Sequence, residues 1–368
     1  MIDNFTNEEF RKEFTAEEEN DFMEFVKEVD AADRWEETPL DSLYLKEIDM
    51  TDAPSLIKER TSTGLALITD GEAFPVFPEA IYSIRRRAKN NAEIFNSLSA
   101  NECANMLNMS WPHIPGNGKV LIRGGKVLAV HSNRYVPISQ GSIFNCFKDK
   151  LAAVYGRVSF EGGFYSHEST TCTYEVESSG LLEGLRAALA EEGIKTGDDI
   201  GVFVECGTSD TGTSAIIAYP SIKAKGRRNY FTNPITIEHR DSTTFGDVAD
   251  GFDQILAVVK AGVVNLERLL KIQLTYPSVI ARKLALNSKF QLPKGLFKEI
   301  EPMLAVSEFC GEKLSAYDFY FTLCEMFMLP EFKKLTEKRK LRIKDSVARV
   351  ALFTEEQFKK MDVNDAVW

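Results

Sequence analysis

The residues best placed to do chemistry are basic side chains interleaved with aromatic ones. Over 219–240, Tyr219, Lys223, Lys225, Arg227, Arg228, Tyr230, Phe231 and Arg240 stand against a single acid, Glu238. Ammonium and guanidinium groups neutralise phosphates, and exposed rings give bases a surface to stack on. That pairing suits single-stranded nucleic acid, because stacking tolerates any base. A second run, KKLTEKRKLRIK at 333–344, holds seven bases, among them Lys338, Arg339, Lys340 and Arg342, and one acid. The third is Arg85, Arg86 and Arg87, followed by Lys89. The alternative for each run is a solvated face, or a partner for the acidic amino-terminal segment.

Other constellations are weaker. The histidines His113, His131, His167 and His239 form no HxH or HExxH pattern, no CxxC pair occurs, and the GxSxG nucleophile elbow is missing. The expectation is therefore no metal, no cofactor and a non-enzymatic role. A site assembled at a distance from His131, His167 or His239 is the remaining enzymatic reading. Gly116-Asn117-Gly118-Lys119 matches part of a phosphate loop, but Val120 stands where the magnesium-binding hydroxyl is needed. Gly207–Gly212 (GTSDTG) reads as a hairpin loop, with anion cradling as its rival. Asp247, Asp250 and Asp253 recur at spacings of three near a helix start, where acids interact well with the dipole; cation binding is the alternative.

With 44% apolar and 27% charged residues, the 368-residue chain has the balance of a soluble globular protein. No apolar run approaches the roughly 20 residues of a membrane span. The start (MIDNFTNEEF) lacks a basic region followed by an apolar one, so a cytoplasmic protein is expected. Six scattered cysteines read as reduced thiols. The net charge of −11 misleads about partners, since residues 1–60 hold 19 of 55 acids and 7 of 44 bases. What remains is a near-neutral body of 36 acids and 37 bases.

The elements that must carry these residues follow from periodicity. Residues 6–35 read as helix, with capping boxes at Thr6/Glu9 and Thr15/Glu18 and apolar positions at Phe10, Phe14, Phe22, Phe25, Val26 and Val29. This acidic segment reads as a helical pair packed on the body, as a mobile arm competing for a basic groove, or as a docking element for a protein partner. Residues 36–60 read as a connector, 78–96 as helix and 108–118 as a turn-rich loop. Val120–Ile122 and Val127–Val130 flank Gly124-Gly125, a hairpin signal. A helix fits 139–155, strands fit 157–178, and a short helix fits 181–192. Ile200–Cys206 and Thr213–Tyr219 read as paired strands, and 243–272 as one long helix. The last hundred residues read as helical, with breaks at Pro277, Pro293, Pro302 and Pro330. Phe319, Tyr320, Phe321, Met326, Phe327 and Met328 make either a core helix or an oligomer surface. The fold class is α+β: an arm and connector at 1–60, a strand-rich centre at 61–275 and a helical region at 276–368.

The order of signals from about 120 to 275 resembles the phage/plasmid-like protein family, catalogued as a domain of unknown function (family 932). The residues that carry it are Ser132-Asn133-Arg134-Tyr135-Val136-Pro137-Ile138 with Phe144 and Phe147 in the helix that follows, then Gly162-Gly163 and the strand pair around GTSDTG. Ala218-Tyr219-Pro220 and Glu238-His239-Arg240 before a long helix complete the order. Where the family commonly has Cys-x-Asn after the proline, this chain has Lys-Ala-Lys-Gly-Arg-Arg-Asn, so it resembles a divergent member. The resemblance implies carriage on phages, plasmids or integrated elements and a role in DNA metabolism. It brings no catalytic residues. Together these readings predict a nucleic-acid-binding protein of a mobile element, preferring single-stranded DNA in replication, recombination or protection. The rival is a phage assembly or anti-defence protein acting by protein–protein contact.

Overall fold

The computed structural model describes residues 4–48, 63–90, 93–194, 200–212, 215–224, 227–240, 242–290, 292–335 and 337–363. It is an α+β fold built of several antiparallel sheets and many helices. The amino-terminal segment departs from the expected helical pair. Residues Arg11–Phe14 form an edge strand, β1, and only Glu19–Ala32 are helical, as α1. Periodicity at 10–14 fits a helix too, but pairing with a sheet edge and burial of Phe14 decide for the strand. Just ahead of α1, Glu18 accepts from the Thr15 N–H (2.7 Å) and hydroxyl (2.8 Å), as the second capping-box pattern predicts. Phe22, Phe25, Val26 and Val29 point from α1 into the main core, each burial stabilising by about 1.5–3 kcal/mol. The acidic segment is thus a built-in element of the core, and the mobile-arm reading is set aside.

The stretch read as a connector begins with strands β2 (Asp33–Pro39) and β3 (Tyr44–Glu47); its remainder lies outside the described residues. β4 (Leu65–Thr69) and β5 (Glu72–Pro75) complete a three-stranded sheet with β3. Helix α2 covers Pro78–Arg87, shorter than predicted, and Phe95 falls in a separate 3-10 turn. α3 (Ala100–Asn108) starts on a complete capping box of Ser99 and Glu102. β6 (Asn117–Arg123) and β7 (Lys126–Ser132) form the predicted hairpin and pair with β2. Gly124 and Gly125 have φ of 58° and 80°, the double positive that such a two-residue turn demands. These elements enclose a second, smaller core around Leu45, Leu67, Ile84, Leu107, Trp111 and Val120.

The larger lobe follows. α4 (Gln140–Tyr155) is capped by Ser139 and precedes β8 (Val158–Ser166) and β9 (Thr170–Val176). α5 (Glu183–Glu191) leads to β10 (Gly201–Thr208), β11 (Ile216–Ala224), β12 (Arg227–Tyr230) and β13 (Ile235–Ile237). The sheet runs β1-β8-β9-β10-β11-β12, with β13 also on β11. The predicted long helix is two, α6 (Phe245–Phe252) and α7 (Ile255–Leu270). Near the break, a Cβ on Gly251 would come within 2.5 Å of Ile237, so the chain approaches β13 closely there. α8 (Pro277–Leu286), α9 (Lys294–Phe309), α10 (Ala316–Cys324), α11 (Glu337–Val350) and α12 (Glu355–Met361) complete the chain. Pro302 sits inside α9 without ending it, since Leu296, Phe297, Ile300 and Leu304 bury both halves on the core. Phe319, Tyr320, Phe321 and Met326 are core residues, as the core-helix alternative has it, while Phe327 is partly buried and Met328 half exposed. One core runs from Phe5 to Phe358, so the boundaries expected at 60 and 275 do not separate cores. No helix among the described residues is long and apolar enough to cross a membrane.

Candidate nucleic-acid interface

Alternation in β10 sets up the site. Val202, Val204 and Cys206 enter the core, which turns Phe203, Glu205 and Gly207 to the opposite face of the sheet. Register carries that face onto Ile217, Tyr219, Ser221 and Lys223 of β11, and across Ser221↔Tyr230 and Lys223↔Arg228 onto β12. α11 lies against β12 on this side. Its Ile343, Val347 and Val350 join the main core, while Leu341 and Ala348 pack on Tyr219 and Tyr230. The first and second basic runs, far apart in sequence, therefore meet on one face.

The meeting is specific. Lys344 Nζ stands 5.0 Å from the centroid of Tyr230, and the Arg228 guanidinium 5.2 Å from that of Phe203. Arg228, Arg339 and Arg342 are exposed, and Lys223 and Lys340 partly so. Arg227 and Lys338 are placed on β12 and α11, and Lys225 lies outside the described residues. Between the sheet face and α11 lies a groove of about 350 Å³. Glu13, Glu168 and Glu205 line it with Phe164, Thr171, Gly207, Tyr219 and Tyr230, and Lys340 and Lys344 close it from α11.

Two aromatic predictions need correction. Phe231 is fully buried, its ring against Gly262, and Tyr230 is 7% exposed. Tyr230 stacks on Tyr219 with centroids 4.5 Å apart, and its hydroxyl donates to Glu205 Oε1 at 2.6 Å. Burial pushes its pKa well up. Neither ring is free to stack on a base; strand alternation sends Tyr230 under α11, and Phe231 continues into the core. Glu205, missed in the sequence, had a signal in the lone acid amid the apolar run GVFVECGT.

The third basic run stays apart. α2 packs on β7 in the smaller lobe, with the Arg85 guanidinium 4.6 Å from the centroid of Phe95. Arg86 is exposed, and Arg87 is half buried, burial and its neighbour Arg86 lowering its pKa. Tyr82, one turn before Arg86, is a half-exposed aromatic that the sequence pattern did not single out.

Three histidines converge elsewhere, at the joint between the lobes. Its hub is Arg123, 1% exposed, which pairs across the β2–β6 register with Asp33 (2.5 and 2.7 Å) and donates to Asp210 Oδ2 at 2.7 Å. Gln140 also donates to Asp210, and Arg123 Nη1 to the Tyr165 hydroxyl at 3.3 Å. That hydroxyl donates to His167 Nδ1 (3.1 Å), while His167 Nε2 donates to the Asn7 carbonyl (2.8 Å). His131 Nε2 donates to the Asp210 carbonyl at 2.6 Å, and its ring stacks on Tyr135, which stacks on His239. Burial holds His131 and His167 at about 4 and lowers His239 as well. Burial, with two carboxylates sharing one guanidinium, raises Asp33 to about 6. These neutral, hydrogen-bonded rings bind the lobes to each other; none lines the groove.

Asp210 belongs to GTSDTG, so that loop turns a carboxylate inward to the joint and is no anion cradle. The phosphate-loop fragment is part of strand β6, where Lys119 donates to the Tyr135 carbonyl at 2.7 Å. Asp247 caps α6 through Thr244, whose backbone N–H and hydroxyl hold its pKa down, and Asp253 pairs with Lys150 at 2.6 Å. No cluster of three metal-ligating side chains occurs among the described residues. No protein-family model, curated protein or solved structure matches this chain.

Proposed function

We propose that the chain is a non-enzymatic nucleic-acid-binding protein of a phage or other mobile element, acting on single strands during replication, recombination or protection in the host cytoplasm. One observation carries the reading: α11 lies on β12, so the second basic run stands against the sheet face that carries Lys223 and Arg228, with Lys340 and Lys344 lining a groove between them. Phosphate attraction depends on such local positive charge and not on the pI of the whole chain. The resemblance to the phage/plasmid-like family points the same way. Fluorescence anisotropy of labelled single- and double-stranded DNA at two salt concentrations tests it. Tighter binding of single strands, weakening as salt rises, is expected; no binding of either near physiological salt would overturn the reading.

A second reading, assembly or anti-defence by protein–protein contact, is favoured by one feature. Met303, Val306 and Phe309 form an exposed apolar stripe along α9, Phe309 being 94% exposed. Protein binding that is abolished by Phe309→Ser, in a chain that ignores DNA, would put that reading first.

A further inference from the structure

The groove has two unlike walls. Glu13, Glu168 and Glu205 stand on the sheet side and Lys340 and Lys344 on the helix side, and apolar Phe164 and Ile217 of the sheet and Leu341 of the helix line it with them. A ligand made only of phosphate would meet the carboxylates, and one made only of ammonium groups would meet the lysines. The complement is a molecule with an anionic end, a flat apolar body and hydrogen-bond donors at the far side. At about 350 Å³ the space suits a unit of nucleotide size. Glu205 uses Oε1 to accept from Tyr230, which fixes the carboxylate in place. A carboxylate so held accepts from an exocyclic amino group, as acidic side chains do from cytosine N4. Thymine presents carbonyl oxygens at the corresponding positions and would be repelled. Gly207 lines the groove with no side chain, and a Cβ there would come within 3.1 Å of Thr171 Cγ2 on the neighbouring strand.

We infer that this groove takes one nucleotide of a bound strand, its amino-bearing base (cytosine, adenine or guanine) facing Glu205 and its phosphate facing Lys340 and Lys344. The inference rests on the nucleic-acid reading and sharpens it, making Glu205 a residue that determines base preference.

The test is anisotropy with labelled oligo-dC, oligo-dA and oligo-dT of equal length, using the wild-type chain, Glu205→Gln and Gly207→Val, with unfolding curves confirming that each variant folds. The wild type should bind oligo-dC and oligo-dA about tenfold more tightly than oligo-dT, the scale of one base-edge interaction. Glu205→Gln should remove most of that preference, weakening oligo-dC and oligo-dA and, with the repulsion gone, tightening oligo-dT. Gly207→Val, which fills the floor without touching a charge, should weaken oligo-dC and oligo-dA. Unlabelled dCMP should displace oligo-dC far less well than unlabelled oligo-dC does; equal displacement would overturn a strand as the source. Equal affinity for all three oligonucleotides, unmoved by either variant, would overturn the base pocket and leave the interface standing. Absence of any binding would overturn both.

Discussion

The joint between the lobes and the ridge over the groove are built from the same kinds of side chain, yet burial gives them opposite roles. At the joint, Arg123 is almost wholly out of water, and each of its donor nitrogens is matched by Asp33, Asp210 or Tyr165. A guanidinium so committed has nothing left for a ligand, and its removal strands two carboxylates. On the ridge, Arg339 and Arg342 are exposed on α11, where solvent screens them and a phosphate can reach them. The lesson is that a basic residue must be read with its environment. Arg123 stands outside all three conspicuous runs and is central to the fold, while the conspicuous runs lie on the surface or at its margin.

The largest effect should come from breaking the joint. Arg123→Met leaves Asp33 and Asp210 buried without a counter-charge and should cost about 3–5 kcal/mol, read from the urea midpoint. A midpoint unchanged from wild type would show that the joint is not structural.

The mirror experiment is on the ridge. Arg339→Glu with Arg342→Glu should lower affinity for a single-stranded oligonucleotide by about tenfold or more and reduce the salt slope by about 1 for each phosphate left unneutralised. Stability should stay within about 0.5 kcal/mol, because exposed substitutions away from special features rarely do more. Destabilisation as large as at the joint would erase the contrast between the two regions.

The joint should also answer to pH, and the ridge should not. His131 and His167 are held neutral, at about 4 in the folded chain against 6.5 ordinarily. Their contribution is full above about pH 6.5 and drains as the pH falls towards 4, because the unfolded chain then takes up the protons. Asp33, raised from 3.8 to about 6, works in the opposite direction over much of the same interval. Three lowered histidines, His239 among them, against one raised carboxylate leave a net fall in the urea midpoint between pH 6.5 and 4. His167→Gln should shrink that fall, and a midpoint that rises on acidification would reverse the assignment.

The smallest effect is expected in the smaller lobe. Tyr82→Ala and Arg86→Ala lie on α2, away from the groove, and should leave affinity within about twofold. A larger drop would extend the binding surface across the joint.

Much of the fold was legible because it is locally encoded. Gly124-Gly125 specifies its hairpin, Ser139 its helix start, and the alternation of β10 its two faces. The amino terminus resists a local reading because β1 is fixed by a strand far along the chain, Arg11 pairing with Ser166, which no local window contains. The site was half legible for the same reason. Lys223, Arg228, Arg339, Lys340 and Arg342 stand out by charge, but their meeting depends on α11 docking against β12. That docking also hides Tyr230, and Phe231 runs into the core beside it, so the aromatic half of the motif became structure. Glu205 could be seen only as an odd acid in an apolar strand until the opposite wall was in place.

The most direct measurement is hydrogen exchange of the full chain with and without a saturating single-stranded oligonucleotide. The account predicts added protection concentrated in 216–230 and 337–350, with α2 unchanged. Protection centred on α2 or on the apolar stripe of α9, or none anywhere, would contradict it.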